Sequence, residues 1–207
     1  MTRFASVGGP STMRRLLLGL AALPFGAAVA AAQTLNMGVG SPVSSLDPHY
    51  HLLRSNGEVS QMLFDSLLTT DAKAQLRPGL AESWRALGSG GWEFTLHEGI
   101  RFHDGTPFTA DDVAFTLERI PKVTGPGASY TTHIRPISRV EVVDARTIRF
   151  YTDTPAPLLP VYLSQVVMLS RRIHDGATTA DFNSGKAAIG SSQRPLNSSQ
   201  ADMMLRA

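Results

Sequence analysis

Three groups of residues in this sequence are of types that could do chemistry. His103 and Asp104 are adjacent, and a histidine oriented by a carboxylate is the usual general base. Neighbours in a turn, however, rarely aim both side chains at one reacting atom. Asp104-Gly105 has turn composition, so Asp104 is expected to bond back to the turn backbone and His103 to lie on the polar side of a strand. The second group is Asp47-Pro48-His49-Tyr50-His51. An H-x-H pair in extended chain points both imidazoles one way and could touch a metal, but two ligands are too few and no third is identifiable. His49 and His51 then read as ordinary solvent-facing histidines. The same stretch, Leu46 to Arg54, places polar and aromatic groups in a loop beside a strand end, where open α/β folds place ligands. Asp47, His49, Tyr50 and His51 are therefore candidate substrate-binding residues. The third group, Gly88 to Gly91, could cradle an anion but precedes no helix start, so it reads as a connector.

No G-x-S-x-G, H-E-x-x-H, P-loop or dinucleotide fingerprint occurs. The chain is not expected to be an enzyme, and neither a cofactor nor a metal is expected. With no cysteine, thiolate metal sites and disulfides are both excluded. Trp84, Trp92, Phe94, Phe102, Phe108 and Phe115 could stack on a ligand, but their periodicity fits a packed core better.

The elements that must position these residues are mixed α and β, without regular βαβ spacing. Leu35, Met37 and Val39 alternate as a first strand. Gly57 to Leu68 has a helical stripe of Val59, Met62, Leu63 and Leu67. Trp92, Phe94 and Leu96 alternate as a strand; Glu98-Gly99 turns the chain, and Ile100 and Phe102 return on the same layer. Thr109 is then a helix N-cap with Asp112 at the third position. Phe108 and Val113 flank the cap as a hydrophobic staple. That helix runs to Arg119, before Pro121. Val140, Val142 and Ile148, Phe150 make a hairpin about Asp144-Ala145-Arg146. Pro157 to Leu163 reads as a short helix and Val166 to Leu169 as a buried strand.

The two ends differ from the middle. Residues 1–32 hold Arg3, Arg14 and Arg15, the apolar run Leu16 to Ala31, and small residues at Ala30 and Ala32. This is the pattern of a cleavable signal peptide, with export to the periplasm. The run is short for a membrane span, which wants about 20 residues. Met13 could be the start, and Arg14-Arg15 raises twin-arginine export. Removing the three arginines leaves 16 basic against 17 acidic residues, so the basic character of the whole chain implies no nucleic-acid partner. The last segment, 191–207, is polar and without period, the composition of an unstructured tail.

Several segments in order resemble one family. Leu46-Asp47-Pro48 resembles a loop at the start of a cleft, and Phe64-Asp65-Ser66-Leu67 a first-helix ending. Leu76-Arg77-Pro78-Gly79-Leu80-Ala81-Glu82-Ser83-Trp84 resembles a P-x-L-A-x-S-W segment. Phe102, His103, Asp104, Gly105, Pro107, Phe108, Ala110, Asp112 and Val113 match an F-H-D-G-x-P-F-x-A-x-D-V core, with Thr109 between. On these motifs the chain resembles the family 5 extracellular solute-binding proteins of peptide and nickel ABC importers. His97 and Gly88 to Gly91 depart from the family pattern. The resemblance implies a class II periplasmic-binding-protein, venus-flytrap fold. Residues 33–52 would be the first strand and loop of lobe I, 53–169 an extra subdomain, and 170–190 a return to lobe I. It implies capture of a di- or oligopeptide for an ABC permease in the inner membrane, by a monomer. Nickel, haem or another small solute, or a non-transport envelope module, are the alternatives. The family phrase begun at Ala187-Ala188-Ile189-Gly190 is abandoned at Ser191, so the resemblance implies a truncated product that lacks the second lobe and normal binding.

Overall fold

The computed structural model describes residues 40–88 and 90–191. The signal sequence, the strand expected at Leu35 to Val39, and residues 192–207 lie outside the described residues. Among the described residues no helix is long and apolar enough to cross a membrane.

The fold is mixed α/β. A four-stranded antiparallel sheet has the order β3-β4-β6-β5, from β3 (Ala81–Ala86), β4 (Gly91–Leu96), β5 (Ile137–Val142) and β6 (Thr147–Thr152). Alternation makes one face apolar. Phe94, Leu96, Ile148 and Phe150 are fully buried on it, and the Phe94 and Phe150 rings lie 5.4 Å apart. Helix α2 (Ala110–Arg119) contributes Val113 and Leu117 to this core, with Phe102 and Phe108 beside them. The aromatic residues of the sequence are thus packed inside: Phe94, Phe102 and Phe108 are buried in this core with Trp84 and Trp92 against its edge, and Phe115 is buried in a second cluster with Phe64 and Phe182.

Helix α2 begins and ends where the sequence signals put it. A Thr109–Asp112 capping box closes its start, with the Asp112 carboxylate accepting the Thr109 N–H at 2.8 Å. The other Asp112 oxygen accepts the Arg171 N–H at 2.8 Å, tying α2 to α5 (Arg171–His174). The preceding turn has Asp104 Oδ1 accepting from Thr106 N and Oγ1, and Gly105 at φ +85°. An L side chain resists that φ.

Other elements differ from the sequence reading. Helix α1 spans Arg54–Leu63, not Gly57 to Leu68. Its buried face is Ser55, Asn56, Ser60 and Leu63, a polar stripe invisible to apolar periodicity. After it, Phe64 is extended, and Leu67 and Leu68 enter the core by way of a hairpin, β1 (Leu68–Thr70) with β2 (Leu76–Pro78). Ile100 and Phe102 are buried, but the return is a pair of single bridges, Arg101 to Pro107 and Phe102 to Ser191, and not a strand. Val166 to Leu169 is fully buried, yet it makes only the bridge from Val167 to Ser66. The short helix near Pro157 is α4 (Leu159–Leu163); α3 (Thr131–Ile134), α6 (Thr179–Asn183) and a 3-10 helix at Ile120–Lys122 complete the described helices.

Candidate functional site

The loop that carries the candidate residues is fixed to the end of the described chain by side-chain bonds. Ser45 Oγ and Leu46 N both donate to Asn183 Oδ1, at 2.9 and 2.8 Å. Asn56 of α1 donates to the Ser45 carbonyl at 3.1 Å and accepts the Ser44 N–H at 3.2 Å. The loop then turns inward, since Asp47, Pro48 and His49 are buried.

Asp47 is the centre of a buried polar cluster. Arg119, the last residue of α2, grips it with two N–H donors at 3.0 and 2.8 Å. Thr179 Oγ1 donates at 2.8 Å and the His49 N–H at 3.1 Å. Both carboxylate oxygens are thereby saturated. Burial pushes the Asp47 carboxyl up, but the Arg119 guanidinium and the hydroxyl outweigh it and hold the group below its ordinary value. Arg119 also donates to His49 Nδ1 at 3.1 Å, and its guanidinium lies 4.8 Å from the centre of the Phe182 ring. His49 Nε2 faces the Val167 carbonyl at 3.0 Å, which fixes the Nε2–H tautomer. Burial, and then the Arg119 charge, lower its pKa to about 4. His174 stacks on Phe182 at 5.4 Å and bonds Ala187 O through Nε2. Burial lowers its pKa as well.

The four candidate residues therefore divide. His49 is 1% exposed, so it is not the solvent-facing histidine the sequence suggested. The chain turns at Pro48 to Tyr50, so His49 and His51 do not sit on one extended segment. Asp47 and His49 use their polar atoms on the protein itself. Tyr50 and His51 remain half-exposed, their rings 5.4 Å apart. Gly125 holds this turn in place: a Cβ there would stand 1.9 Å from the Tyr50 carbonyl oxygen. Among the described residues no group of three His, Asp or Glu is placed to hold a metal. His103 accepts the Gly190 N–H on Nδ1 at 3.2 Å while Asp104 bonds Thr106, so the two side chains serve different partners, and His103 Nε2 is buried with no hydrogen-bond partner among the described residues.

Beside Tyr50 and His51 in sequence, Leu52 bonds the Ala128 carbonyl and leads into a groove of about 500 Å³. It is lined by Leu52, Leu53, Arg54, Gly57, Glu58 and Gln61 from the start of α1, with Tyr130 and Gln165 opposite. Two smaller cavities exist. One, of about 380 Å³, lies between α2 and β5. The other, of about 270 Å³, includes Arg119 and His174 in its wall. Sequence reasoning missed Arg119, Thr179, Asn56, Asn183 and Tyr130. The one local hint was Asp47-Pro48, a turn that turns out to be buried.

Residues 75–192 match the family described as bacterial extracellular solute-binding proteins, family 5 Middle. The periplasmic oligopeptide-binding protein OppA of Salmonella typhimurium is 39% identical over 110 residues, which are 52% of this chain and 20% of that protein. OppA of Escherichia coli is 34% identical over 151 residues, 65% of this chain and 28% of that protein. The chain thus spans between 20% and 28% of the length of these relatives. The structure of OppA from Burkholderia pseudomallei superposes with a TM-score of 0.65 at 22% identity, over 73% of this chain and 33% of that one. That likeness establishes the shared fold, of the class II periplasmic-binding-protein type.

Proposed function

This chain belongs to the bacterial extracellular solute-binding proteins of family 5, a family of binding proteins and not of enzymes, and on that footing we propose that it takes part in capturing a small solute, a di- or oligopeptide, for an ABC permease of the inner membrane. The observation that carries the peptide reading is the 39% identity to an oligopeptide-binding protein across 110 residues. Residues 1–32 would direct export to the periplasm.

The ligand-facing part of the loop is its outer half. Asp47 and His49 act as its buried anchor, because their polar atoms are consumed by Arg119, Thr179 and Val167. Tyr50, His51 and the neighbouring groove would form one wall of a solute site. A concave, partly apolar surface with a few polar groups is what such a wall requires.

Titration of the purified protein with di- to pentapeptides, followed by two-dimensional NMR, tests this and reads contacts even at millimolar affinity. Shift changes clustered at Tyr50, His51 and the groove are expected. No change with any peptide at millimolar concentration would overturn the peptide reading.

A further inference from the structure

The groove beside α1 carries two features that nothing inside the protein uses. The N-cap position of α1 is Leu53, in extended conformation (φ −114°, ψ 133°), and it supplies no side-chain acceptor. Helix N-termini present N–H groups without intrahelical partners, and the helix dipole makes that end attractive to oxygen acceptors. No acidic residue sits in the first turn of this ten-residue helix. The second feature is Tyr130. Its residue is only 5% exposed, its ring packs edge-on against His49 at 5.8 Å, and it lines the same groove. Its hydroxyl lies 3.6 Å from where a Cβ on Gly57 would stand, over the first turns of α1, with no hydrogen-bond partner among the described residues. The ring is buried while the hydroxyl opens to the groove, so a polar atom is held in one place on the groove wall.

We propose that the uncapped start of α1 and the Tyr130 hydroxyl together form a subsite for an oxygen acceptor of the solute, a carbonyl or a carboxylate. The inference rests on the solute-binding reading and narrows it. Gly57 leaves the hydroxyl uncovered, as its missing side chain keeps the space between Tyr130 and the helix open. Leu52 and Leu53 give the groove an apolar floor. The charged groups facing it are Arg54 and Glu58, which pair with each other at 2.9 Å on the rim. A carbonyl would be held by the helix N–H groups and the phenol alone. A carboxylate would also recruit Arg54, whose side chain is 93% exposed and free to reorient, against the repulsion of Glu58.

The experiment is an NMR titration of the full chain with sodium acetate, N-methylacetamide and methylammonium chloride as separate probes. Acetate or N-methylacetamide should move the amide signals of Arg54, Ser55 and Asn56, and methylammonium should not. A stronger response to acetate identifies the carboxylate as the preferred source, and a stronger response to N-methylacetamide the carbonyl. Tyr130→Phe keeps the ring and should weaken the response about tenfold. Leu53→Asp places a carboxylate at the N-cap, so it should abolish the response while raising the melting midpoint. Unchanged binding in both variants overturns the subsite, as does an absence of shifts in the first turn of α1. If peptides still shift Tyr50 and His51 in that case, the subsite has failed and the solute-binding reading stands.

Discussion

Two ion-pair systems in this molecule use the same chemistry in opposite surroundings. Asp47 and Arg119 form a pair whose side chains are 0% and 9% exposed, between residues 72 apart in sequence. On the outer face of the sheet, Arg85, Glu93, Arg149 and Glu141 form a ladder across all four strands. Arg139 and Tyr151 extend it, with Arg139 over the Tyr151 ring and Tyr151 Oη donating to Glu141 at 2.7 Å. Each rung joins strands that the backbone ladder has already aligned. The buried pair joins a loop, a helix end and α6, none of which share a sheet. Coulomb attraction alone does not separate the two systems. What differs is whether an unpaired partner could return to water: apart from Glu93, whose side chain is 10% exposed, the ladder's charged groups reach solvent, and those of the buried pair do not.

The largest effect is therefore expected at Arg119. Arg119→Ala would leave the Asp47 carboxylate buried with Thr179 and one backbone N–H, and breaking such a pair costs about 3–5 kcal/mol. That is a large part of a domain's net stability of about 5–15 kcal/mol. Urea denaturation should show a much lower midpoint, and proton exchange should be fastest in the loop from Ser44 to Tyr50. Arg119→Lys should be intermediate, because a lysine cannot reproduce the two-pronged grip. An alanine variant as stable as the parent would mean that the pair holds nothing together.

Acid should act on the same region. The folded pKa of His49 is about 4, below its ordinary 6.5, so the unfolded chain takes up the proton first. Stability contributed by neutral His49 is present above pH 6.5 and is lost as pH falls from 6.5 towards 4. His174 and His133, also lowered by burial, add in the same direction. Asp47, held below its ordinary value, adds its own loss only as pH falls further. Denaturation midpoints at pH 7, 5.5 and 4.5 check the slope. His49→Gln should flatten it, and an unchanged slope in that variant would assign the effect elsewhere.

A third and smaller effect belongs to the start of α2. Thr109→Ala removes one side of a capping box and should cost about 1 kcal/mol. Asp112→Ala should cost more, since the Asp112 carboxylate serves both Thr109 and the Arg171 N–H. Paired denaturation curves rank the two; equal effects would remove the Arg171 link from the account.

How far the sequence could be read follows from the range of each interaction. Helix α2 was legible to the residue because Thr109, Asp112, Phe108 and Val113 are within five positions of one another. The hairpin about Asp144 was legible for the same reason. The strands β1 and β2 were not, because Leu68–Thr70 and Leu76–Pro78 are three residues long and mostly exposed, which is too short for alternation to register. Helix α1 was misplaced because its buried face is Ser55, Asn56 and Ser60, of which Ser55 bonds Ser41 and Asn56 bonds Ser44 and Ser45 in the loop. Within the candidate site, Asp47, His49, Tyr50 and His51 were identified as a cluster from composition alone. Their division into a buried pair and a half-exposed pair depends on Arg119 and Thr179, 72 and 132 residues away. No local pattern encodes those distances.

The smallest effect is expected on the ladder, and it sharpens the contrast most directly. Glu141→Gln removes one charge between Arg139 and Arg149 but keeps an acceptor for the Tyr151 hydroxyl. All three groups are solvent-accessible, so water and counterions replace what the carboxylate supplied. The expected change is small, and it should shrink further as salt is raised. Arg119→Ala, by contrast, should be nearly insensitive to salt, because its partner is out of reach of the solvent. Denaturation of both variants at low and high ionic strength therefore separates the two systems by salt dependence as well as by size. If the Glu141 variant lost several kcal/mol regardless of salt, the outer face of the sheet would be as constrained as the buried cluster, and the division drawn between them would fail.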